Sequence, residues 1–463
     1  MQRLIFDARR ANMHFVPSLS VMLPTSADIS NLALPSDQVV YGAKSDLDNF
    51  YHRIVLPEWM VDYFGLPHVR ASDISPELAE EFGSDAKIFP AFLRLPMGFS
   101  HAVPISNSMH VNFLSNTILR HHTLLRPDQR YVLRPGQIIF CLIIDDVFMF
   151  STDKSQLEHV VDTLLSEYEG GGFVVKLSKL VRPTTKMRVI GLDWDGESKS
   201  LSASPETQMQ IRNTCLAMVR AGTVSGKAMQ ILLGHYIWSA LVRRPLLSIL
   251  SNVYRFIKHC IRERDLFAPR VLWDSVKQEL LQMAYLTPLM FAHLTDSVYD
   301  HVLFTDASTT GAAVVSTKFP SSFRNYFEVF LGHQKQYDIQ HDTSACFKHC
   351  FNKPSLMSTK FAFPWKYDLS HINVLEMKTL EMAVHWLARH PIKPGTRAVI
   401  FSDSMVCVCA LAKGRSSSPY LAKPLKRLSS ILLSVGLKLI VPHLRSELNP
   451  ADEPSRRFQN QRC

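Results

Sequence analysis

The sequence predicts a multidomain α/β protein made of a mixed α/β unit, a helical block and a second, smaller α/β unit. Three observations predict it. The chain has 463 residues, enough for about three ordinary domains. Over roughly the first 200 residues, strand-like and helix-like patterns alternate. From Ser204 to about Phe291 strand runs vanish and apolar residues recur three and four apart; at Asp300 strands return.

Composition narrows the classes. With 46% hydrophobic and 20% charged residues, long disorder is not expected. The formal charge of +10 suits a polyanionic partner, and suits a basic enzyme equally well. The longest apolar run, Ile138 to Ile144, stops at two aspartates, well short of the ~18 residues of a membrane span, so no membrane partner is expected. Met1–Arg10 lacks the apolar core and cleavage site of a signal peptide. Eight cysteines without regular spacing read as mostly buried free thiols in a reducing compartment. No repeat period or low-complexity tract is visible.

In the first unit the strand candidates are Arg3–Asp7, Val39–Asp46, Gln137–Ile144, Val147–Ser151 and Arg188–Leu192. The helical candidates are Pro57–Phe64, Ser75–Phe82, Pro104–Leu119 and Lys154–Gly170, the last closed by Gly170-Gly171-Gly172. The helical block carries ten Lys or Arg against four Asp or Glu over 206–275, more than half of the chain's excess. Tyr236, Trp238, Tyr254 and Phe256 are interleaved with these charges, as in a surface for nucleic-acid phosphates and bases, or as core aromatics beneath solvated charges. In the third unit, strands are expected at His301–Asp306, Gly311–Ser316 and Ala398–Asp403, and helices at Asn373–Ala388 and Ala422–Gly436. Pro320–Pro364 reads as an irregular insertion.

Carboxylates at the ends of apolar strands stand out. Ile138-Ile139-Phe140-Cys141-Leu142-Ile143-Ile144 leads into Asp145-Asp146, and Val147-Phe148-Met149-Phe150 follows. A solvated Asp-Asp turn would be ordinary. At the tip of a buried hairpin, two like charges are costly unless a cation neutralises them, and oxygen ligands select Mg²⁺ or Mn²⁺. Asp46 ends a second apolar strand, followed by Asp48, Phe50 and Tyr51. Three carboxylates on neighbouring strand ends suit two metals about 3.5–4 Å apart, the geometry of in-line phosphoryl transfer.

The segment Ser45-Asp46-Leu47-Asp48-Asn49-Phe50-Tyr51-His52-Arg53-Ile54 resembles motif A of reverse transcriptases. Leu95-Pro96-Met97-Gly98-Phe99-Ser100-His101-Ala102-Val103-Pro104 is similar to motif B, and Ile143-Ile144-Asp145-Asp146 to the metal-binding motif C. Gly172-Phe173-Val174-Val175-Lys176-Leu177-Ser178-Lys179 resembles motif D, and Val189-Ile190-Gly191-Leu192-Asp193-Trp194 resembles the primer grip, motif E. Arg3-Leu4-Ile5-Phe6-Asp7-Ala8-Arg9-Arg10-Ala11-Asn12 resembles the fingers segment before motif A. Each is a weak signal alone; their shared order is what makes the signal specific.

The resemblance implies a right-hand polymerase of fingers, palm and thumb. Asp46, Asp145 and Asp146 would hold two Mg²⁺, with the Leu47 carbonyl contributing. Tyr51 would exclude a 2′-hydroxyl, unless it is a packed strand aromatic. Arg3 would grip the triphosphate, Met97 and Gly98 would shape the nucleotide pocket, and Lys179 would protonate the leaving pyrophosphate or else be a solvated lysine. Ile143 stands where the family usually has Tyr. The family's further fingers lysine would fall before this chain begins, so the fingers read as truncated and the chain as a fragment of a longer polyprotein.

The third unit repeats the theme. Asp306 ends the strand Val302-Leu303-Phe304-Thr305, Glu376 lies early in a helix after His371-Ile372-Asn373-Val374-Leu375, Asp403 follows Val399-Ile400-Phe401-Ser402, and Asp452 lies in Asn449-Pro450-Ala451-Asp452-Glu453-Pro454-Ser455-Arg456. This set resembles ribonuclease H, which cuts the RNA strand of an RNA–DNA hybrid with two Mg²⁺. His443 matches a loop histidine that aids product release, or is structural. His341, Cys346, His349 and Cys350 fit no familiar zinc spacing, and no zinc is assigned. The pairing of Leu448-Asn449-Pro450-Ala451-Asp452-Glu453-Pro454-Ser455-Arg456 with His371-Ile372-Asn373-Val374-Leu375-Glu376 is similar to DIRS-like retrotransposons, including the VIPER type.

The resemblance therefore implies fingers and palm over 1–203, thumb and connection over 204–295, and a ribonuclease H-like domain over 296–463 with its insertion at about 320–364. Its implied partners are an RNA template, a DNA primer, RNA–DNA hybrid, dNTPs and other retroelement proteins, in the nucleus or cytoplasm. The competing expectation is a truncated or domesticated copy that binds nucleic acid without polymerase activity.

Overall fold

The computed structural model describes all residues except 1–5, 128, 321–346, 349, 352–353, 367–369 and 459–463. The expected strand at Arg3–Asp7 lies mostly outside them; Phe6 and Asp7 are not in a strand. The chain forms two compact units. The first comprises Met1–Leu23, Gly42–Leu124 and Gly136–Thr184; the second comprises Pro24–Tyr41, Leu125–Pro135 and Thr185–Cys463.

The first unit is built on a sheet of β1 (Tyr41–Asp46), β2 (Thr123–Leu124), β3 (Ile138–Ile143), β4 (Asp146–Ser151) and β5 (Val181–Thr184), in the spatial order β2-β3-β4-β1-β5. The β3 sequence Ile-Ile-Phe-Cys-Leu-Ile has no polar residue to offer water, and all but its last residue is buried. It pairs with β4 from Ile138↔Ser151 to Ile143↔Asp146, which leaves Ile144 and Asp145 as a two-residue turn. Ile144 takes φ +59, a left-handed backbone that a β-branched residue rarely adopts. Helices α1 (Ala102–Leu114) and α2 (Lys154–Gly170) belong to this unit. Asp153 caps α2 by accepting from Gln156 N at 3.0 Å, and Leu157, Val160, Val161, Leu164 and Tyr168 form its buried face.

The second unit begins with a meander of β6 (Lys186–Val189), β7 (Leu192–Asp195), β8 (Ser200–Ala203) and β9 (Phe291–His293). The run Arg188–Leu192, expected as one strand, breaks into β6 and β7 because Ile190 and Gly191 both take positive φ and turn the chain. Between β8 and β9 lie α3 (Pro205–Ala221), α4 (Gly226–Ala240), α5 (Ser251–Arg262) and α6 (Asp274–Leu286), the helical block. Ser204 and Ser225 cap α3 and α4. A short pairing of Thr223–Ser225 with Pro269–Val271 interrupts the expected all-helical run. Tyr236 and Phe256 are fully buried and so belong to the core, not to a surface for bases, whereas Trp238 is 43% exposed. Tyr254 is half-buried and its hydroxyl accepts from Arg415 at 2.7 Å.

A second five-stranded sheet follows: β10 (Val298–Ala307), β11 (Gly311–Lys318), β12 (Ser358–Pro364), β13 (Arg397–Ser402) and β14 (Lys438–Ile440), in the order β12-β11-β10-β13-β14. Strands β10 to β12 are antiparallel, while β13 runs parallel to both β10 and β14. Strand β12 corrects the reading of Pro320–Pro364 as wholly irregular; Thr359, Phe361 and Phe363, at alternate positions, supply the β propensity. Helices α7 (Ile372–Leu387), α8 (Met405–Lys413), α9 (Pro419–Val435) and α10 (Asp452–Arg456) complete the unit. Alternation along β10 serves two cores. Leu303 packs with Met377, Leu380, Val384, Leu428 and Leu432, whereas Val302 and Phe304 face Phe347, Phe351 and Phe401. Cys141, Cys215, Cys260 and Cys407 are buried free thiols. No helix among the described residues is long and apolar enough to cross a membrane.

Candidate metal centres

In the first unit, strand ends and one tight turn position the acids. Asp46, the last residue of β1, is 3% exposed. The Leu47 amide donates to the Asp145 carbonyl at 3.1 Å, fastening the end of β1 to the β3–β4 turn. The Lys176 amide donates to the Asp46 carbonyl at 2.8 Å. Two lysines neutralise the acids: Lys44 Nζ lies 2.8 Å from Asp146 Oδ1, and Lys179 Nζ lies 2.8 Å from Asp46 Oδ2. Burial, with the nearby Asp46 charge adding to it, raises the Asp145 carboxyl. Burial pushes Asp146 up to about 6 against the opposing pull of Lys44, and the hydrogen bond to Asp46 adds to the rise. Charges that resist ionising side by side are what a hard divalent cation would relieve. Asp48 turns instead to Arg53, 3.0 Å away.

Tyr51 is half-buried, and burial raises its hydroxyl, with a hydrogen bond to Ser106 and the Asp145 charge also acting on it. Met97 is partly buried. Gly98 takes φ +107, and a Cβ there would meet the Phe6 carbonyl oxygen at 2.7 Å. Gly98→Ala is expected to destabilise the protein by about 1–3 kcal/mol, read as a lower midpoint in urea unfolding. An unchanged midpoint would mean that this loop relaxes freely. Arg3 lies outside the described residues.

His110 was not singled out in the sequence. It is fully buried on α1; Nδ1 lies 2.7 Å from the Ile144 carbonyl and Nε2 lies 2.7 Å from the Tyr168 hydroxyl. Burial pushes its pKa down to about 4, so the ring is neutral at pH 7. The pair of bonds is satisfied when Nδ1–H donates to Ile144 and Nε2 accepts from Tyr168. His110 thereby props the strained turn that carries Asp145. The signal was present: Ala102, Ser106, His110 and Leu114 form one buried stripe at i, i+4 spacing. His110→Phe, which takes a donor from the Ile144 carbonyl and an acceptor from the Tyr168 hydroxyl, is expected to cost about 2–4 kcal/mol in thermal unfolding. A cost near zero would mean that water replaces the ring.

In the second unit, Asp306 near the end of β10 and Asp403 just after β13 lie at the carboxyl ends of adjacent parallel strands, where Thr305 pairs with Ser402. Glu376, on the first turns of α7, closes the group. Among the described residues, Asp306, Glu376 and Asp403 form a set whose ligand oxygens all lie within 4.8 Å of one another. Ala307 N donates to Glu376 Oε1 at 3.1 Å, while the buried Glu376 Oε2 has no hydrogen-bond partner. Burial, reinforced by Asp306 and Asp403, pushes Glu376 up to about 9; burial pushes Asp306 up to about 7, with Asp403 and Asp452 adding to it and the Ser455 bond opposing. An all-oxygen set with one orphaned buried oxygen fits Mg²⁺ or Mn²⁺.

Asp452 stands outside this trio, its carboxylate 2.7 Å from Arg456 on the same helix, although its charge reaches Asp306 and Glu376. His443 Nε2 meets the backbone carbonyl of Asp403 at 3.1 Å rather than its carboxylate. Two serines join the site unforeseen: Ser446 Oγ donates to Asp403 Oδ2 at 2.6 Å, and Ser455 Oγ donates to Asp306 Oδ2. Asn449 Nδ2 donates to the Thr305 carbonyl at 3.0 Å, which pins the Asn449–Arg456 segment beside β10. Of the cysteine and histidine cluster, His341, Cys346 and His349 lie outside the described residues.

No family model matches the chain. No curated protein matches it either. Among solved structures it is similar to a foamy viral protease-reverse transcriptase dRH in complex with double-stranded DNA, at 13% identity and TM-score 0.46, covering 95% of this chain and 62% of that one. It is also similar to the foamy viral protease-reverse transcriptase with an RNA/DNA hybrid, at 12% identity and TM-score 0.43, covering 98% and 71%. A third structure, of that protein with double-stranded DNA, matches at 14% identity and TM-score 0.42, covering 94% and 73%. The chain thus spans less than two thirds of the first of these.

Proposed function

We propose that this chain is an RNA- and DNA-directed DNA polymerase of a DIRS-like retroelement, joined to a ribonuclease H that acts on RNA–DNA hybrids. The observation that carries the reading is the Leu47–Asp145 bond. It draws together Asp46 and Asp145, acids a hundred residues apart in the sequence, at the tip of a buried hairpin. The three-carboxylate group of the second unit supports the nuclease half.

In this reading Asp46, Asp145 and Asp146 hold Mg²⁺ in the first unit, and Asp306, Glu376 and Asp403 hold it in the second, with Asp452 turning from Arg456 to join them. Bound Mg²⁺ would lower the pKa of the attacking hydroxyl or water and stabilise the leaving oxygen. The chain's own groups position the reactants. His110 holds the hairpin turn and Tyr51 flanks the incoming sugar. Lys179, whose bond to Asp46 raises its pKa, keeps a proton for the leaving pyrophosphate. Lys44 and Lys179 supply positive charge to the acids before the cation arrives.

Extension of oligo(dT) on poly(rA) in Mg²⁺ tests the polymerase half, and cleavage of a labelled hybrid tests the nuclease half. Product in both assays supports the reading. Tight hybrid binding with no product, and with Asp145→Asn indistinguishable from the parent, leaves the domesticated binding protein. If 206–275 follows the duplex, hybrid affinity should fall with salt at a log–log slope of about −0.9 per phosphate contact. A flat dependence would remove that block from the interface.

A further inference from the structure

The direction of a side chain is set by the two peptide planes that flank its Cα, because each plane is rigid and only the two dihedrals between them are soft. At Asp145 both planes are held by groups from elsewhere in the first unit. The plane before it carries the Ile144 carbonyl, which accepts from His110 Nδ1 at 2.7 Å. The plane after it carries the Asp145 carbonyl, which accepts from the Leu47 amide at 3.1 Å. Ile144 itself takes φ +59, so without such holds the turn would relax toward a commoner conformation.

The hold on Ile144 is the last link of a buried chain. The Ser45 hydroxyl bonds the Tyr168 hydroxyl, Tyr168 Oη donates to His110 Nε2 at 2.7 Å, and His110 Nδ1–H donates to the Ile144 carbonyl. Donors and acceptors run in one direction, so each link orients the next. By occupying Nε2, the Tyr168 hydroxyl leaves the ring proton on Nδ1, where the turn needs it. The chain starts beside Asp46 and ends beside Asp145, so it joins the two acid-bearing segments behind their carboxylates. Ser45 is 3% exposed, and Tyr168 and His110 are fully buried. The rings of Phe50 and Phe173 lie 5.6 and 6.1 Å from that of His110, and Phe113 stacks on Tyr168 at 5.4 Å. In this apolar surround bulk water does not compete for the bonds.

We propose that His110 and Tyr168 are positioning residues: through the Ile144 carbonyl they fix the Asp145 carboxylate, and thereby make the first carboxylate group select Mg²⁺ over Ca²⁺. This rests on the reading of Asp46, Asp145 and Asp146 as cation ligands and deepens it. Mg²⁺ demands near-ideal octahedral geometry at about 2.0–2.1 Å, whereas Ca²⁺ accepts oxygens at about 2.3–2.6 Å in flexible arrangements. A carboxylate free to drift therefore weakens Mg²⁺ more than Ca²⁺. The two residues act on a backbone carbonyl and on each other, so their loss removes no ligand.

The test uses the full chain carrying Asp403→Asn, which silences the second carboxylate group. Mn²⁺ binding is read by electron paramagnetic resonance without nucleotide or nucleic acid, and Mg²⁺ and Ca²⁺ are then titrated against the bound Mn²⁺. His110→Phe should weaken Mg²⁺ by about tenfold or more and Ca²⁺ by about threefold or less. Tyr168→Phe, which keeps the ring and its packing, should shift the ratio of the two affinities in the same direction, and it carries the test if His110→Phe does not fold. His110→Asn, whose side-chain amide can still donate to Ile144, should keep Mg²⁺ within about threefold of the parent. A merely structural role would lower Tm and leave the ratio in the folded protein unchanged. An unchanged ratio in the breaking variants overturns the proposal, as does a loss in His110→Asn as large as in His110→Phe. The reading beneath it fails by a different result: Mn²⁺ uptake that Asp145→Asn does not diminish would show that the first group is no cation site, and would remove the proposal with it.

Discussion

Asp145→Asn is expected to reduce primer extension by about 10³-fold or more while leaving the protein folded. The substitution keeps the shape of the turn and removes one charge from a site that binds a cation through charge. The loss of several kcal/mol of metal-dependent stabilisation corresponds to that factor. Its thermal stability without metal should be unchanged or higher, because burial and Asp46 already disfavour the charged form. Asp46→Asn should lose activity as fully and also release Lys179 from its 2.8 Å partner. Single-turnover extension with saturating dNTP reads the chemical step. Retention of more than a tenth of the parental rate by either variant would remove the first carboxylate group from catalysis.

The second large effect is a dependence of stability on pH that Mg²⁺ reverses. Folding raises Asp306 to about 7 and Glu376 to about 9, above their unfolded values. The stability these protonated groups contribute is complete below about pH 4 and is lost as pH rises, through about 7 for Asp306 and about 9 for Glu376. Asp146, raised to about 6, adds to the lower part of that window. In EDTA, unfolding free energy should fall by up to about 1.4 kcal/mol per pH unit for each proton held only by the folded state. Cation ligands must be deprotonated, so Mg²⁺ affinity rises with pH, and the gain in Tm from 10 mM Mg²⁺ should be larger at pH 8.5 than at pH 6. Glu376→Gln should flatten the fall in EDTA between pH 7 and 9 and abolish hybrid cleavage. A Tm gain independent of pH would contradict the assignment of these carboxyls as ligands.

The strands that carry the acids were legible because their composition leaves little choice. Ile138–Ile143 and Arg397–Ser402 are nearly uniform in burial, and the acids at their ends break an otherwise apolar pattern. What pattern could not supply was pairing. Strand β12 is poorly legible because Ser358-Thr359-Lys360 is polar and its apolar run is confined to Phe361–Phe363, at a sheet edge. The break of Arg188–Leu192 depends on left-handed backbone at Ile190, a residue type that gives no warning of it. The fates of Tyr236 and Trp238 diverge because residues two apart on a helix lie on different faces, and the sequence does not say which face is covered.

The sites divide in the same way. The acids are visible as anomalies in their own segments, but the side chains that tune them come from elsewhere in the chain. His110, Ser446 and Ser455 act through bonds to Ile144, Asp403 and Asp306, contacts made only by tertiary packing. Asp452 illustrates the converse: its motif is evident, yet Arg456 four residues on is an intrahelical partner that competes for its carboxylate.

Anomalous diffraction from crystals soaked in Mn²⁺ tests the central claim most directly. The account predicts Mn²⁺ peaks at Asp46, Asp145 and Asp146 and at Asp306, Glu376 and Asp403, with Asp145→Asn removing the first and Asp403→Asn the second. Crystals at saturating Mn²⁺ that show no peak at either group, with Lys179 still bonded to Asp46 and Lys44 to Asp146, would contradict it.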